Sequence, residues 1–145
     1  MAEKPQNFEN HTKIVPAFHL FVLPVLALNF ISSIVRVFRA PSYWTVVSLL
    51  VSIALVLLAL TARIFALTVQ DRVIRLEMRL RLQQALPPDL KSRIPEFTVG
   101  QLLSMRFAGD AELPDLARKV LDEKLTDRKA IKKLIRDWQP DYLRA

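Results

Sequence analysis

His11 and His19 are the side chains of this chain best suited to hold a metal or a haem, and they stand eight residues apart near its start. Metal sites need clustered ligands. Neither histidine has a Cys, Asp or Glu to oppose it from the second of the two apolar stretches described below, so a ligand role would need another chain. Interfacial hydrogen bonding is the expected role of both. The chain has no cysteine, which excludes disulfides, thiolate metal sites and redox thiols. Gly100 and Gly109 are its only glycines and form no phosphate-binding loop. No serine sits in an elbow-like context near either histidine, so no acyl-transfer triad can be assembled. Asn10-His11-Thr12 fits the glycosylation pattern, but that pattern is common by chance and the tail is expected to be cytoplasmic. No catalytic, cofactor-binding or metal residue is assigned, no cofactor is expected, and a non-enzymatic role is the expectation.

Composition says more about location. Ser42 to Ala62 contains no charged residue, nor does Ile14 to Val35 with His19 neutral. Each run reaches the length of about 20 residues that a bilayer-spanning helix needs. The fold class expected is all-α: a two-span transmembrane helical hairpin, its second helix extended into the cytoplasm, followed by a small bundle of short amphipathic helices. The expected segments are a polar N-terminal tail (1–13), the hairpin (14–62, spans about 14–35 and 43–62), a projecting amphipathic helix (63–86) and a small cytoplasmic helical domain (87–145). A cleaved signal peptide fits the first run poorly, because the run is long and no small-x-small site follows it. Pro24, inside the first span, should kink or loosen it. Tyr43 and Trp44 fall where aromatic residues anchor at a membrane–water boundary.

Net charge is +7, and the densest excess lies in residues 63–86, directly after the second span. Basic residues close behind a span mark the cytoplasmic side, which places both termini of a hairpin there. Arg36 and Arg39 in the connecting loop run against that rule. Beyond Arg63 the pattern becomes mixed. Val69, Val73, Leu76 and Leu80 follow the 4-3-4 spacing of a narrow helix seam, and Arg72, Arg75 and Arg79 share another face. Asp71 with Arg75, and Glu77 with Arg81, are spaced for i,i+4 ion pairs.

Pro87 and Pro88 end that helix. Thr98 and Gln101 fit a capping box opening a helix with Val99, Leu102, Leu103 and Phe107 on one face. Leu113, Leu116, Ala117, Val120, Leu121 and Lys124 follow at helical spacing. Thr126 is placed to cap a last helix carrying Ile131, Leu134, Ile135 and Trp138. Three short amphipathic helices are near the lower limit for an independent core, so this region should lean on the long helix, a membrane surface or another protein.

Three features could meet partners. Asn29, a strongly polar side chain within the first span, should hydrogen-bond either across the hairpin, to Ser48, Ser52 or a backbone carbonyl, or to a neighbouring subunit. Lys129, Lys132, Lys133 and Arg136 form a basic face on the last helix. That face is a solvated cover over a core, or a headgroup-docking surface, with nucleic acid ranked last because interleaved aromatics are missing. The seam calls for a protein partner or a homo-oligomer. The function expected is a membrane-anchored interaction protein, an accessory subunit of a membrane complex or a self-associating scaffold. The alternative is an anionic-lipid-binding surface sensor or remodeller using Arg72, Arg75, Arg79 and the last helix.

The tail QNFENHTKIVPAFH, the two spans, and the end segments LSMRFAGDAELPDLARKVLDEKLT and IKKLIRDWQPDYLRA resemble a family of small uncharacterised bacterial membrane proteins. In that family an Asn-His pair precedes a Pro-x-Phe-His entry into the first span, and an IKKxIxxW helix closes the chain. The resemblance implies a bacterial origin and the same two-span architecture; with the spans and the basic residues after them, the location expected is the bacterial inner membrane. It implies no activity.

Overall fold

A computed structural model describes residues 6–11 and 14–142. Among these the chain is helical, with no strand and one isolated antiparallel bridge, Ala108 to Trp138. A π-helical turn, Ala17–Val22, runs into α1 (Leu23–Arg39). Then follow α2 (Tyr43–Ala85), α3 (Pro88–Lys91), a 3-10 turn (Ile94–Glu96), α4 (Val99–Met105), α5 (Leu113–Asp122) and α6 (Arg128–Lys133). Packing divides the described residues into two units, one of 14–68 and another of 6–11 with 69–142. The division falls inside α2 rather than at its end.

In the first unit, two helices are long and apolar enough to cross a membrane, Ala17–Arg39 and the apolar part of Tyr43–Ala85. The loosening expected at Pro24 takes the form of the wide π turn immediately before it. A proline ring crowds the carbonyl four residues back and supplies no N–H, and a wider turn relieves both. At the start of α2, Ser42 and Thr45 cap each other. The Ser42 N–H donates to Thr45 Oγ1 at 2.9 Å and the Thr45 N–H donates to Ser42 Oγ at 3.2 Å. Ser33 and Ser52 are fully buried, and each hydroxyl donates to its own helix backbone, at Asn29 O and Leu49 O. Small self-satisfied residues of this kind let apolar helices approach closely. The Arg36 guanidinium links α1 to α2, donating to Ser33 Oγ at 3.2 Å and Ser48 Oγ at 3.4 Å.

The second unit has a continuous core, and α2 forms one wall of it. Ile74, Met78 and Leu82 on α2, with Leu86 just past its end, are buried against Leu90, Ile94, Phe97, Leu102, Met105, Leu113, Val120 and Ile131. Arg81 adds a polar clamp, donating to Asp110 Oδ1 at 2.7 Å and to the carbonyls of Arg106 and Ala108 at 3.1 and 2.6 Å. Two further ion pairs tie the entry segment to α5: Arg118 with Asp89 at 2.7 Å and Arg93 with Asp122 at 2.9 Å. The hydrogen bond from Arg118 holds the Asp89 carboxyl below its ordinary value of 3.8.

Local capping explains where these short helices begin and end. Thr98 and Gln101 form the reciprocal capping box, and Gln101 Nε2 also donates to Leu125 O at 2.8 Å. Two expectations are corrected. Asp127, not Thr126, caps α6, its carboxylate accepting from the N–H groups of Lys129 and Ala130. A carboxylate makes the stronger cap because it complements the positive end of the helix. Lys124 lies past the end of α5 with φ 50°, rather than on its apolar face. There the Leu125 N–H reaches back to Val120 O at 3.0 Å, the long bond of a Schellman ending that usually calls for glycine.

The helix expected to reach Trp138 stops at Lys133. Beyond it the backbone finds partners elsewhere. Glu112 accepts the N–H groups of Arg136 and Asp137 at 3.0 and 3.2 Å, Gly109 N–H donates to Asp137 O, and Gln139 N–H donates to Phe107 O at 2.7 Å. Trp138 leaves the helical path and stacks on Phe107, rings 4.5 Å apart and 14° from parallel. A close side-chain approach makes Gly109 necessary, since a Cβ there would collide with Asp137.

Three measurements test this packing. Leu82→Ala should destabilise the second unit by about 2–4 kcal/mol in thermal or denaturant unfolding, whereas Leu80→Ala should change it by less than about 0.5 kcal/mol. Lys124→Gly should raise stability by about 0.5 kcal/mol, because the left-handed conformation costs an L-residue more than glycine loses in chain entropy. A depressed folded pKa means that Asp89 stabilises above its ordinary value and loses that contribution as pH falls through the folded one. Asp89→Asn should therefore flatten the fall in stability below about pH 4, measured by melting across an acid series.

Candidate interaction surfaces

The four seam residues lie on the face of α2 opposite its core-facing stripe. At 100° per residue, the line through Val69, Val73, Leu76 and Leu80 is turned about 180° from that through Ile74, Met78 and Leu82. The core therefore covers one side and leaves the other bare. Val69, Val73, Leu76 and Leu80 are 59, 49, 61 and 59% exposed, against 0 to 6% for Ile74, Met78 and Leu82. The inward stripe was the less visible of the two in sequence, because its 4-4-4 spacing drifts around the helix while the seam keeps a narrow line.

The flanks of the seam differ in charge. Arg72, Arg75 and Arg79 stand on one side and, with Leu76, line an open depression. Arg72 and Arg75 are exposed, and Arg79 is half-buried with its Nε buried and unpartnered among the described residues. Glu77 stands on the other flank, exposed, with Gln70 and Gln84. Neither expected i,i+4 pair is formed among the described residues: Arg81 serves Asp110 instead of Glu77, and Asp71 does not reach Arg75. Among the described residues Glu77 has no ionic partner.

The basic face of α6 is partly taken up within the fold. Lys132 Nζ donates to His11 Nε2 at 2.9 Å and lies 5.3 Å from the centre of the Phe107 ring, while Lys133 Nζ lies over the Phe8 ring at 5.8 Å. Lys129 and Arg136 are exposed. The face is thus a cover over packed groups more than a free cationic surface.

What occupies it is the N-terminal tail, which residue spacing did not connect to this region. Asn7 Oδ1 accepts the N–H groups of Glu9 and Asn10 and folds the tail into a turn. His11 then sits among Phe8, Phe107 and Trp138, with ring centres 5.8–5.9 Å away. Its Nδ1 donates to Phe8 O at 2.6 Å, so Nε2 is the nitrogen that accepts from Lys132. The Gln6 amide holds the far end of the chain, donating to Asp141 O at 3.4 Å and accepting the Asp141 N–H at 2.9 Å. Arg106 lies 4.4 Å from the centre of the Phe107 ring and pairs with Asp141 at 3.1 Å. His11 is therefore a clasp between residues 6–11 and the segments that carry Phe107, Lys132 and Trp138. His19 is local, its Nδ1 at 3.0 Å from Val15 O. Among the described residues no group of three or more His, Cys, Asp or Glu could hold a metal ion.

In the first unit, Asn29 accepts from Ser33 through its backbone, and its side chain makes no hydrogen bond among the described residues. Ser48, named as its possible partner, is engaged by Arg36 instead. Tyr43 and Trp44 open α2 edge to face, 5.2 Å between ring centres and 74 and 75% exposed.

Removing the ring that anchors the tail gives a direct check of the clasp. Trp138→Ala should leave residues 6–11 open to proteolytic cleavage under native conditions, whereas the wild-type tail should resist until the second unit melts.

No curated protein and no solved structure matches the chain. Its two ends, the Asn10-His11 tail and the Lys132-to-Trp138 segment, meet in the clasp just described. A family profile matches residues 1–145 from end to end, and the chain belongs to that family, DUF6526, a family of unknown function.

Proposed function

We propose that this protein is a two-span inner-membrane hairpin with both ends in the cytoplasm, working as a non-enzymatic interaction protein. On this reading Ala17–Arg39 and the apolar half of α2 cross the bilayer, and residues 69–142 are cytoplasmic. Three observations support it. Both candidate spans are apolar enough to cross. The tail before the first and the domain after the second are bound to each other, as they would be if both left the membrane on one side. Five arginines follow the second span in residues 63–86, and basic residues close behind a span favour the cytoplasmic side. Arg36, on the opposite side in this arrangement, is held by Ser33 and Ser48.

The observation that carries the interaction reading is the bare apolar stripe on α2, opposite a face whose packing is already complete. Stripes of this length on a soluble helix mark a contact with another helix. The partner is either a larger membrane complex, of which this chain is an accessory subunit, or another copy in a scaffold. A second reading, contact with anionic headgroups, is favoured by the open depression of Arg72, Arg75 and Arg79 and the unpartnered Arg79 Nε.

Cross-linked in its membrane, the full chain should give a particle larger than a monomer, and Val73→Asp with Leu80→Asp should reduce it to one. Both substitutions lie away from the core, so the melting transition should persist. An unchanged particle in the double variant would remove the seam from the account. For the lipid reading, the purified wild-type chain should retain anionic lipid that the Arg72→Ala, Arg75→Ala and Arg79→Ala triple variant loses.

A further inference from the structure

We infer that the partner of the α2 seam is a second copy of this chain, docked parallel and in register as a short two-stranded coiled coil. The inference rests on the membrane-anchored interaction reading above and names the partner at the same surface. In heptad terms Val69 and Leu76 take d, Val73 and Leu80 take a, Arg72 and Arg79 take g, and Glu77 and Gln84 take e. The central pair, a β-branched residue at a followed by leucine at d, is the combination that favours two strands.

Orientation follows from the flanks. In a parallel pair, g of one helix faces the following e of the other. Arg72 then meets Glu77 of the second copy, twice by symmetry, and Arg79 meets Gln84. In an antiparallel pair g faces g and e faces e, which sets the Arg72 and Arg79 flank against itself and Glu77 against Glu77. One arrangement pairs opposite charges and the other opposes like ones. Glu77 is available for this, because Arg81, its helical neighbour four residues on, is committed to Asp110 and two carbonyls. Two copies inserted in one membrane with the same orientation also present α2 in the same direction.

The seam spans only about three turns, too short to hold two free chains together in water. Confinement to a bilayer changes that by raising the effective concentration of one copy near another. The structure thus assigns a dimer that depends on membrane anchoring, with the docked core of each chain facing away from the dimer axis.

The chain has no cysteine, so single cysteines can report the geometry without background. In proteoliposomes of the full-length chain under mild oxidation, Val73→Cys and Leu76→Cys should each link to the same residue of another copy. Arg75→Cys, off the seam, should link at least tenfold less. Glu77→Arg should cut dimerisation by about tenfold, since it opposes Arg72 twice, and Arg72→Glu combined with Glu77→Arg should restore it. Helicity and melting temperature should stay unchanged in both variants. Stronger linking at residue 75 than at 73 and 76, or no rescue by the exchanged pair, overturns the proposed geometry. A wild-type chain that stays monomeric alone but binds another protein through a Val73→Asp-sensitive contact overturns the second-copy partner and leaves the interaction reading standing. Monomeric behaviour with no such contact removes both.

Discussion

The second unit depends on a loan from α2. Residues 87–142 supply apolar faces on α3 to α6, but the core closes only because Ile74, Met78, Leu82 and Leu86 form its remaining wall. Short helices bury too little surface by themselves to offset the chain entropy of ordering them. A long continuous helix presents its apolar stripe already ordered, so docking against it costs less. Arg81 fixes the register of that docking through three hydrogen bonds into the loop between α4 and α5.

The same constraint settles the character of the opposite face. A helix buried along one stripe can be bare along the other, and the seam is bare because the core needs only one side. It also explains why Glu77 lacks the intrahelical partner that its spacing offered. Exposed ion pairs of that kind contribute only tenths of a kcal/mol, whereas Arg81 anchored to two carbonyls and a carboxylate ties two parts of the fold together. The stronger arrangement wins, and among the described residues the Glu77 carboxylate beside the apolar stripe has no ionic partner.

The clasp between tail and terminus follows from how α6 ends. Had the helix continued to Trp138, that ring would have joined the core at i+7 from Ile131. Glu112 captures the N–H groups of Arg136 and Asp137 instead, and the ring swings onto Phe107, where it makes a floor for His11. With the tail held there, the ends of the chain are joined at residues more than a hundred positions apart in sequence. The basic side chains Lys132 and Lys133 are drawn into that contact, which leaves the arginines of α2 as the more open cationic surface.

Much of the architecture was legible in the residues. Charge-free runs long enough to span a bilayer, the unbroken second helix, the Pro87-Pro88 stop, the Thr98–Gln101 box and the exposed seam are all local patterns, set by hydrophobicity, propensity and capping within a few residues. What the residues left undecided was where competing local options resolve. Two stripes run along α2, and only the presence of α3 to α6 determines which is buried. Thr126 and Asp127 can both cap α6, and the carboxylate takes the role; Trp138 can lie on a helix or on Phe107, and the contacts of Glu112 and Gly109 with residues 136–137 decide. The tail's place on the domain has no signal in spacing at all, because Gln6 and His11 meet Asp141 and Lys132 only once the whole chain between them is folded. Local pattern determined the elements; long-range packing chose their faces, and with them the surface left free for a partner.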